Sequence, residues 1–341
     1  MEYKLGDIVA MRSNAKILWI DDNPEREKRA NILEEETGIK VEFISVKGMD
    51  LAVELPKIRK KYKPDLVIID HVLNDTQSEG WARYGSTLVG FFRETWEGCP
   101  IFGITAAMNL EQIDIERYTY DELIDYTEFS QYIRYIPNVI EGFKKSSKVK
   151  SIENWILLLK APKQEVERIK GCIPHNVKTA FGKKGFSNMI YRWFRTKFYK
   201  MPGFLYDRNW VATFAGIKKD AIKKYLKHFR KAQYDGIFND IEHTRWWKTS
   251  LYKIIYEKCK DKNAPLRSTQ DVANEVLAVK TKNRSKCNVC YEKWPETFAY
   301  TENTASATME QMHLRCTLAH PLYRYEPMFE EMRIMARGKV G

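Results

Sequence analysis

Residues 16–26 read Lys-Ile-Leu-Trp-Ile-Asp-Asp-Asn-Pro-Glu-Arg, and residues 65–70 read Asp-Leu-Val-Ile-Ile-Asp. Each is a short apolar run stopped by aspartate. Strands covered on both faces carry continuous Val, Ile and Leu instead of alternating with polar residues, so both runs read as central strands of a sheet with helices on either side. Working outward, Glu25–Glu36 has helical spacing, with Ala30 and Leu33 on one side and charges on the other. Val41–Ser45 reads as a second strand and Leu51–Lys61 as a second helix. After the Asp65–Ile69 strand comes a polar loop through Gly80 and Gly85, then a helix over Ser86–Glu94 and a strand over Pro100–Ile104. Leu123–Tyr126 is a weaker fifth strand and Phe129–Lys144 a closing helix. Strand and helix alternating at this spacing predict an α/β fold, a doubly wound parallel five-stranded sheet with right-handed crossovers.

In such a sheet, ligand chemistry belongs at the carboxyl ends of the strands. Asp21 and Asp22 follow the first strand, Asp70 the third and Thr105 the fourth. A lone aspartate at a strand end is an ordinary turn or helix cap. Three carboxylates in one crevice repel one another, and a hard divalent cation relieves that repulsion, since Mg²⁺ takes carboxylate, carbonyl and water oxygens. The same cation would offset charge on a phosphoryl group arriving at an aspartate, and the Thr105 hydroxyl could hydrogen-bond a phosphoryl oxygen.

The stretches ILWIDDNPER, KPDLVIIDHVL and PIFGITAAM make residues 15–143 resemble the receiver domain of two-component response regulators. The resemblance implies a flavodoxin-like fold. It also implies that Asp70 is the phospho-acceptor, that Asp21 and Asp22 are the acidic pair binding Mg²⁺ with Asp70, that the carbonyl of Val72 is a further ligand, and that Thr105 is the switch hydroxyl. Two features depart from the family. The family places a lysine after the fifth strand, which pairs with the phosphoryl group and the acceptor carboxylate; here Thr127 stands at that place and Glu128 follows it. Arg83 and Arg93 are candidate replacements for the missing charge. The interval from Asp70 to Thr105 is also long, with extra polar loop at Asn74–Gly85.

Charge separates the two halves of this 341-residue chain. Residues 1–150 hold 21 basic against 26 acidic side chains, a net −5, and the remainder holds 36 against 19, a net +17, for +12 in all. The run Lys144-Lys145-Ser-Ser-Lys148-Val-Lys150 suits a linker or an exposed helix end. The expected organisation is a receiver-like domain over 1–145, a basic, mainly helical domain over 146–280, and a zinc-stapled segment over 281–341. Apolar residues make up 44% of the chain, which argues against disorder. No apolar run approaches the roughly 20 residues a membrane span needs, and residues 1–16 lack the apolar core of a signal peptide. The expectation is a cytoplasmic protein with no membrane partner.

A basic excess confined to one region is the usual footprint of a polyanion binder. Residues 178–200 interleave cations with aromatics, and Ile190, Trp193, Phe194 and Phe198 recur at helical spacing, the pattern of a core stripe. The cations Lys183, Lys184, Arg192 and Arg195 are candidates for nucleic-acid contact. Lys218–Ala232 reads as a basic amphipathic helix, with Ile222, Leu226 and Phe229 opposite Lys219, Lys223, Lys227 and Lys231, four further candidates. Short helices in succession would suit a helix-turn-helix, although no recognition helix stands out. Ser268–Asp271 looks like a helix start.

The tail carries a Cys287-x-x-Cys290 pair and, downstream, His313, Cys316 and His320. Positions 313, 316 and 320 are spaced as on one helix face. Zinc takes four soft or borderline ligands in a tetrahedron. The preferred set is Cys287, Cys290, His313 and Cys316, with His320 as the competing ligand; a closed set of this kind is structural and not catalytic.

These features predict a signalling protein whose receiver domain, through Asp70 and Mg²⁺, controls a basic output region that binds nucleic acid. A degenerate receiver serving as an assembly or adaptor module is the alternative, and a nuclease or other enzyme in the C-terminal half the third; an enzyme is the less favoured reading. Expected partners are a histidine kinase or other phosphodonor protein, nucleic acid, a protein partner in a complex, or a second copy of the chain.

Overall fold

The computed structural model describes residues 14–74, 84–106, 119–183, 185–200, 203–240, 243–263, 271–291, 298–303, 308–313, 316 and 323–325. Five strands form the first sheet: β1 (Lys16–Asp21), β2 (Lys40–Ser45), β3 (Leu66–Asp70), β4 (Ile101–Thr105) and β5 (Glu122–Asp125). All pair in parallel, in the order β2-β1-β3-β4-β5. Every residue of β3 and β4 is buried, as their unbroken apolar sequences require, whereas β2 lies at the edge and is only half-buried. The connecting helices are α1 (Glu27–Thr37), α2 (Leu51–Lys61) and α3 (Gly85–Thr95). Gly38 ends α1 in the left-handed region at φ 68°, a conformation that costs glycine least. Asp50 caps α2 by accepting from the Ala52 N–H.

The closing helix expected over Phe129–Lys144 is two helices, α4 (Phe129–Ile133) and α5 (Ile136–Ser146). Pro137 sits in the first turn of α5, where its missing N–H costs nothing, and it disfavours a continuous helix through Tyr135 and Ile136.

The described residues divide into two compact units. One combines residues within 1–159 with 172–193 and 236–242. This unit holds α6 (Ile152–Leu159), α8 (His175–Ala180) and α9 (Ser187–Trp193), whereas α7 (Val166–Cys172), between α6 and α8 in the chain, belongs to the other unit up to Gly171. The α9 residue Tyr191 is fully buried, and its hydroxyl donates to Glu122 Oε1 at 3.0 Å. Arg192 binds the Asp121 carboxylate at 3.3 Å and donates to the Thr119 carbonyl at 2.6 Å. Phe238 inserts its ring beside Tyr191 and Phe143, at centroid distances of 4.9 and 5.7 Å.

The second unit holds residues within 160–171, 194–235 and 243–341. It contains short strands β6 (Leu205–Tyr206) and β7 (Trp246–Trp247), and helices α10 (Arg208–Phe214) and α11 (Lys248–Asp261). Its core gathers Trp210, Val211, Ile222, Phe229, Leu251 and Ile255. Of the expected aromatic stripe, Phe194 and Phe198 are buried in this unit, and Ile190 and Trp193 are buried in the first. The basic helix expected over Lys218–Ala232 is instead two 3-10 segments, Ile222–Lys224 and Leu226–Ala232. Adjacent lysines repel one another, and Ile222, Phe229 and Ala232 still bury themselves in the shorter turns. The helix start expected at 268–271 falls largely outside the described residues. Strands β8 (Phe298–Asn303), β9 (Thr308–His313) and β10 (Tyr323–Tyr325) form an antiparallel sheet in the order β10-β8-β9.

Candidate functional site

The register of the parallel sheet assembles the acidic hollow. Ile20 lies opposite Ile69, so the next residues, Asp21 and Asp70, end neighbouring strands together. Asp70 pairs with Ile104, and Thr105 follows one residue later at the end of β4. Carboxylate oxygens of Asp21, Asp22 and Asp70 lie within 4.8 Å of one another. An open cleft of about 550 Å³ begins there, lined among others by Asp22, Arg26, Lys47, Asp70, Val72 and Ala106. Thr105 is buried immediately before Ala106. Val72 is fixed by a bridge to Tyr84.

The carboxylates are held under electrostatic stress. Asp21 is fully buried and accepts from the Asn23 N–H at 2.9 Å and the Trp19 indole at 3.3 Å. Burial nevertheless raises its pKa above the usual carboxylate range. Burial, reinforced by the negative charge of Asp21, pushes Asp70 up to about 7 even with Arg26 beside it. A cation placed among these carboxylates would relieve that stress. Three hard oxygen donors at this spacing fit Mg²⁺.

A cation that reading the sequence did not single out sits against the carboxylates. Arg26 Nη1 lies 3.1 Å from Asp70 Oδ1 and 3.3 Å from Asp21 Oδ2. Arg93, one of the two expected replacements, instead pairs with Asp121 at 3.2 Å and donates to the Thr119 carbonyl. Arg83, the other, lies outside the described residues. Thr127 turns back on its own loop: its N–H and hydroxyl both donate to Asp125 Oδ1, at 2.7 and 2.6 Å. The signal for Arg26 was its place in Asp-Asp-Asn-Pro-Glu-Arg, where a proline turn follows the acidic pair.

The second cluster lies in the tail. Ligand atoms of Cys287, Cys290, His313 and Cys316 converge within 4.8 Å. His313 Nδ1 is 3.3 Å from Cys290 Sγ and 3.9 Å from Cys316 Sγ. Zn–S and Zn–N bond lengths in a tetrahedron place ligand atoms roughly 3.5–3.8 Å apart, so this donor set fits zinc. His313 ends strand β9 and does not share a helix face with Cys316 as its spacing suggested. Extended β9 delivers the His313 N–H to Cys287 Sγ at 3.3 Å, and the Val289 N–H donates to the same sulfur at 3.4 Å. Burial opposes ionisation of Cys287, but backbone N–H groups, led by that of Cys290, outweigh it and lower its pKa. Cys316 is driven up to about 12, by burial first and then by its sulfur neighbours. A dication among them removes that conflict. His320 lies outside the described residues.

Of the nucleic-acid candidates, Lys183, Lys219, Lys223, Lys227 and Lys231 are exposed. Arg195 is buried, with its guanidinium 5.5 Å from the Tyr199 ring centroid, and Arg192 is engaged with Asp121. Lys184 lies outside the described residues.

No family model matches the chain, and no curated protein does. Solved structures similar to it are receiver domains. A two-component response regulator from Clostridium difficile is 21% identical over 38% of this chain and 96% of its own, with a TM-score of 0.30. The receiver domain of Francisella response regulator 1452 is 18% identical over 39% of this chain and 98% of its own, with a TM-score of 0.29. A CheY-like receiver domain protein from Methanospirillum hungatei is 18% identical over 37% of this chain and 96% of its own, also at 0.29.

Proposed function

We propose that this protein is a response-regulator-like signalling protein in which Asp70 accepts a phosphoryl group. The observation that carries the reading is the convergence of Asp21, Asp22 and Asp70 at adjacent strand ends beside an open cleft. An Asp70 carboxylate oxygen attacks the phosphorus of a donor such as a histidine kinase. The new O–P bond forms as the donor's bond to phosphorus breaks, and the donor group leaves with that electron pair. Asp21, Asp22, Asp70 and the carbonyl of Val72 would hold Mg²⁺, which when bound would supply positive charge for the incoming phosphoryl oxygens. Thr105 would answer the new phosphate by hydrogen bonding, which shifts the populations of two conformations of the sheet edge.

Incubation with a small phosphodonor and Mg²⁺, read by intact mass, is expected to add one phosphoryl group to the native chain and none to Asp70→Asn. A mass gain kept by Asp70→Asn would remove Asp70 as acceptor. No gain in the native chain would favour the adaptor reading, which the Thr127 bonds to Asp125 also favour.

The basic unit is the output in this reading, acting on nucleic acid in the cytoplasm. Exposed Lys219, Lys223, Lys227 and Lys231 support it. So does His228, whose pKa is lowered by burial and then by Lys258, Lys227 and Lys262. Among the described residues, no helix is long and apolar enough to cross a membrane. Affinity for a DNA or RNA duplex is expected to fall steeply as salt rises, because each neutralised phosphate releases counterions. Salt-independent binding, or none, would reject this output. The tail cluster holds structural Zn²⁺ through Cys287, Cys290, His313 and Cys316.

A further inference from the structure

We propose that Arg26 is the phosphoryl-binding cation of this site, reaching in from the β1–α1 connection to do what a lysine after β5 would do. The inference rests on the phospho-acceptor reading of Asp70 and concerns which side chain meets the transferred group.

The local sequence explains the placement. Asn23 caps a single 3-10 turn, Pro24–Arg26, by accepting from the Glu25 N–H at 3.0 Å. Proline pre-sets the turn, and the Arg26 N–H returns to the Asn23 carbonyl at 3.1 Å. The chain therefore doubles back, and the Arg26 side chain is carried across the carboxyl ends of β1 and β3. There it spans Asp21 and Asp70 with its side chain only 15% exposed.

The far side of the guanidinium is supported as well. Its carbon lies 4.4 Å from the centroid of the Tyr126 ring, and that of Arg29 lies 3.8 Å from the same centroid. Arg29 also donates to the Tyr126 carbonyl at 3.2 Å. Tyr126 is the residue before Thr127. The strand end that lacks a lysine thus presents an aromatic face on which a cation from elsewhere rests.

Charge leaves room for both Arg26 and a metal. Asp21, Asp22 and Asp70 together offer three negative charges when ionised, against one on Arg26. A planar guanidinium donates in parallel to two oxygens, geometry suited to a phosphoryl group already bonded to Asp70. Lys47 lines the same cleft, and Arg26 touches the acceptor oxygen itself, 3.1 Å from Asp70 Oδ1.

The test uses the full chain and two ligands that report different charges. Beryllofluoride mimics the phosphoryl group on an aspartate and is read by fluorine NMR; Mn²⁺ replaces Mg²⁺ and is read by electron paramagnetic resonance. Arg26→Gln is expected to weaken beryllofluoride binding about tenfold or more, the loss of one charge-assisted pair. It is expected to leave Mn²⁺ affinity unchanged or raised, because a positive charge beside the carboxylates has been removed. Arg26→Lys is expected to recover most of the beryllofluoride affinity. Arg26→Gln binding beryllofluoride as tightly as the native chain would overturn the inference and leave the acceptor reading intact. Parallel loss of both ligands, not recovered by Arg26→Lys, would reduce Arg26 to a structural part and also overturn it. Failure of the native chain to bind beryllofluoride in the presence of Mg²⁺ would defeat the acceptor reading itself, and the inference with it.

Discussion

Withdrawing metal from the protein is expected to unfold the segment that carries Cys287, Cys290, His313 and Cys316. Its apolar cluster consists of Cys287, Met312 and Cys316, with Val289 and Cys290 partly buried beside them. So small a core cannot meet the entropy of ordering the segment. Structural zinc contributes about 10–16 kcal/mol in peptides of this kind, far beyond what that cluster buries. Elemental analysis should find one zinc per chain, and Cys287→Ser should lose it. Hydrogen exchange at the Met312 and His313 amides should then accelerate on chelation. The side chain of Gln311 donates to the Ile217 carbonyl at 2.8 Å and to Thr213 Oγ1 at 3.2 Å, so loosening should spread to the end of α10. A metal-free chain whose β9 amides remain protected would remove zinc from the account.

Substituting Gly85 by alanine should be the most damaging change of a single methyl group near the Asp21, Asp22 and Asp70 hollow. A Cβ there would stand 2.2 Å from the backbone oxygen of Asp70, 2.8 Å from Ile69 Cγ2 and 2.9 Å from the Tyr120 hydroxyl. The nearest atom belongs to the backbone, so no rotamer change relieves the clash. The Gly85 N–H also donates to the His71 carbonyl at 2.9 Å, which ties the start of α3 to the segment after β3. Overpacking of this severity costs about 3 kcal/mol. Gly90, five residues along the same helix, provides the control, because nothing lies within 4 Å of its added Cβ. There, alanine should stabilise the protein by roughly 0.5–1 kcal/mol through helix propensity. Urea denaturation of the two variants should therefore move in opposite directions. Equal midpoints for Gly85→Ala and the native chain would show that the contact with Asp70 yields freely.

The front sheet was legible because its strands are buried on both faces and stop at charged residues. Ile17–Ile20 and Leu66–Ile69 have little else they can form at that length, and the aspartates that end them meet because register in a parallel sheet is shared. Arg26 was not legible in the same way. An arginine five residues into a polar connection resembles any solvated charge, and what brings it back is the Pro24 turn together with a ring 100 residues later in the chain. Arg93, one of the two candidates the sequence offers for a compensating charge, is held by Asp121, and no local pattern announces a pairing across 28 residues. In the basic half, aromatic spacing predicted burial correctly because it needed only a period. The lysine-rich stretch misled because Ile222, Leu226 and Phe229 fit a helical stripe, although Lys219, Lys223, Lys227 and Lys231, four residues apart, would repel one another along such a helix. His313 and Cys316 are spaced for a helix, yet His313 ends a strand, so spacing alone does not place two ligands on one helix face.

Gly142 and Phe238 bear on how the molecule can be taken apart. A Cβ on Gly142 would lie 2.2 Å from two atoms of the Phe238 ring, so α5 has been pared down to admit a side chain from nearly a hundred residues downstream. The Ile237 N–H is fastened to the Leu158 carbonyl at 2.8 Å, and Phe238 itself sits at φ 57°, outside the comfortable range for a residue with a side chain. A graft that ended after Lys150 would leave Phe143 without this ring and Glu122 without the Tyr191 hydroxyl. The five-stranded sheet and its helices are therefore no detachable cartridge: the socket on α5 is filled from later in the chain, and what surrounds the sheet is finished only by the residues that follow it.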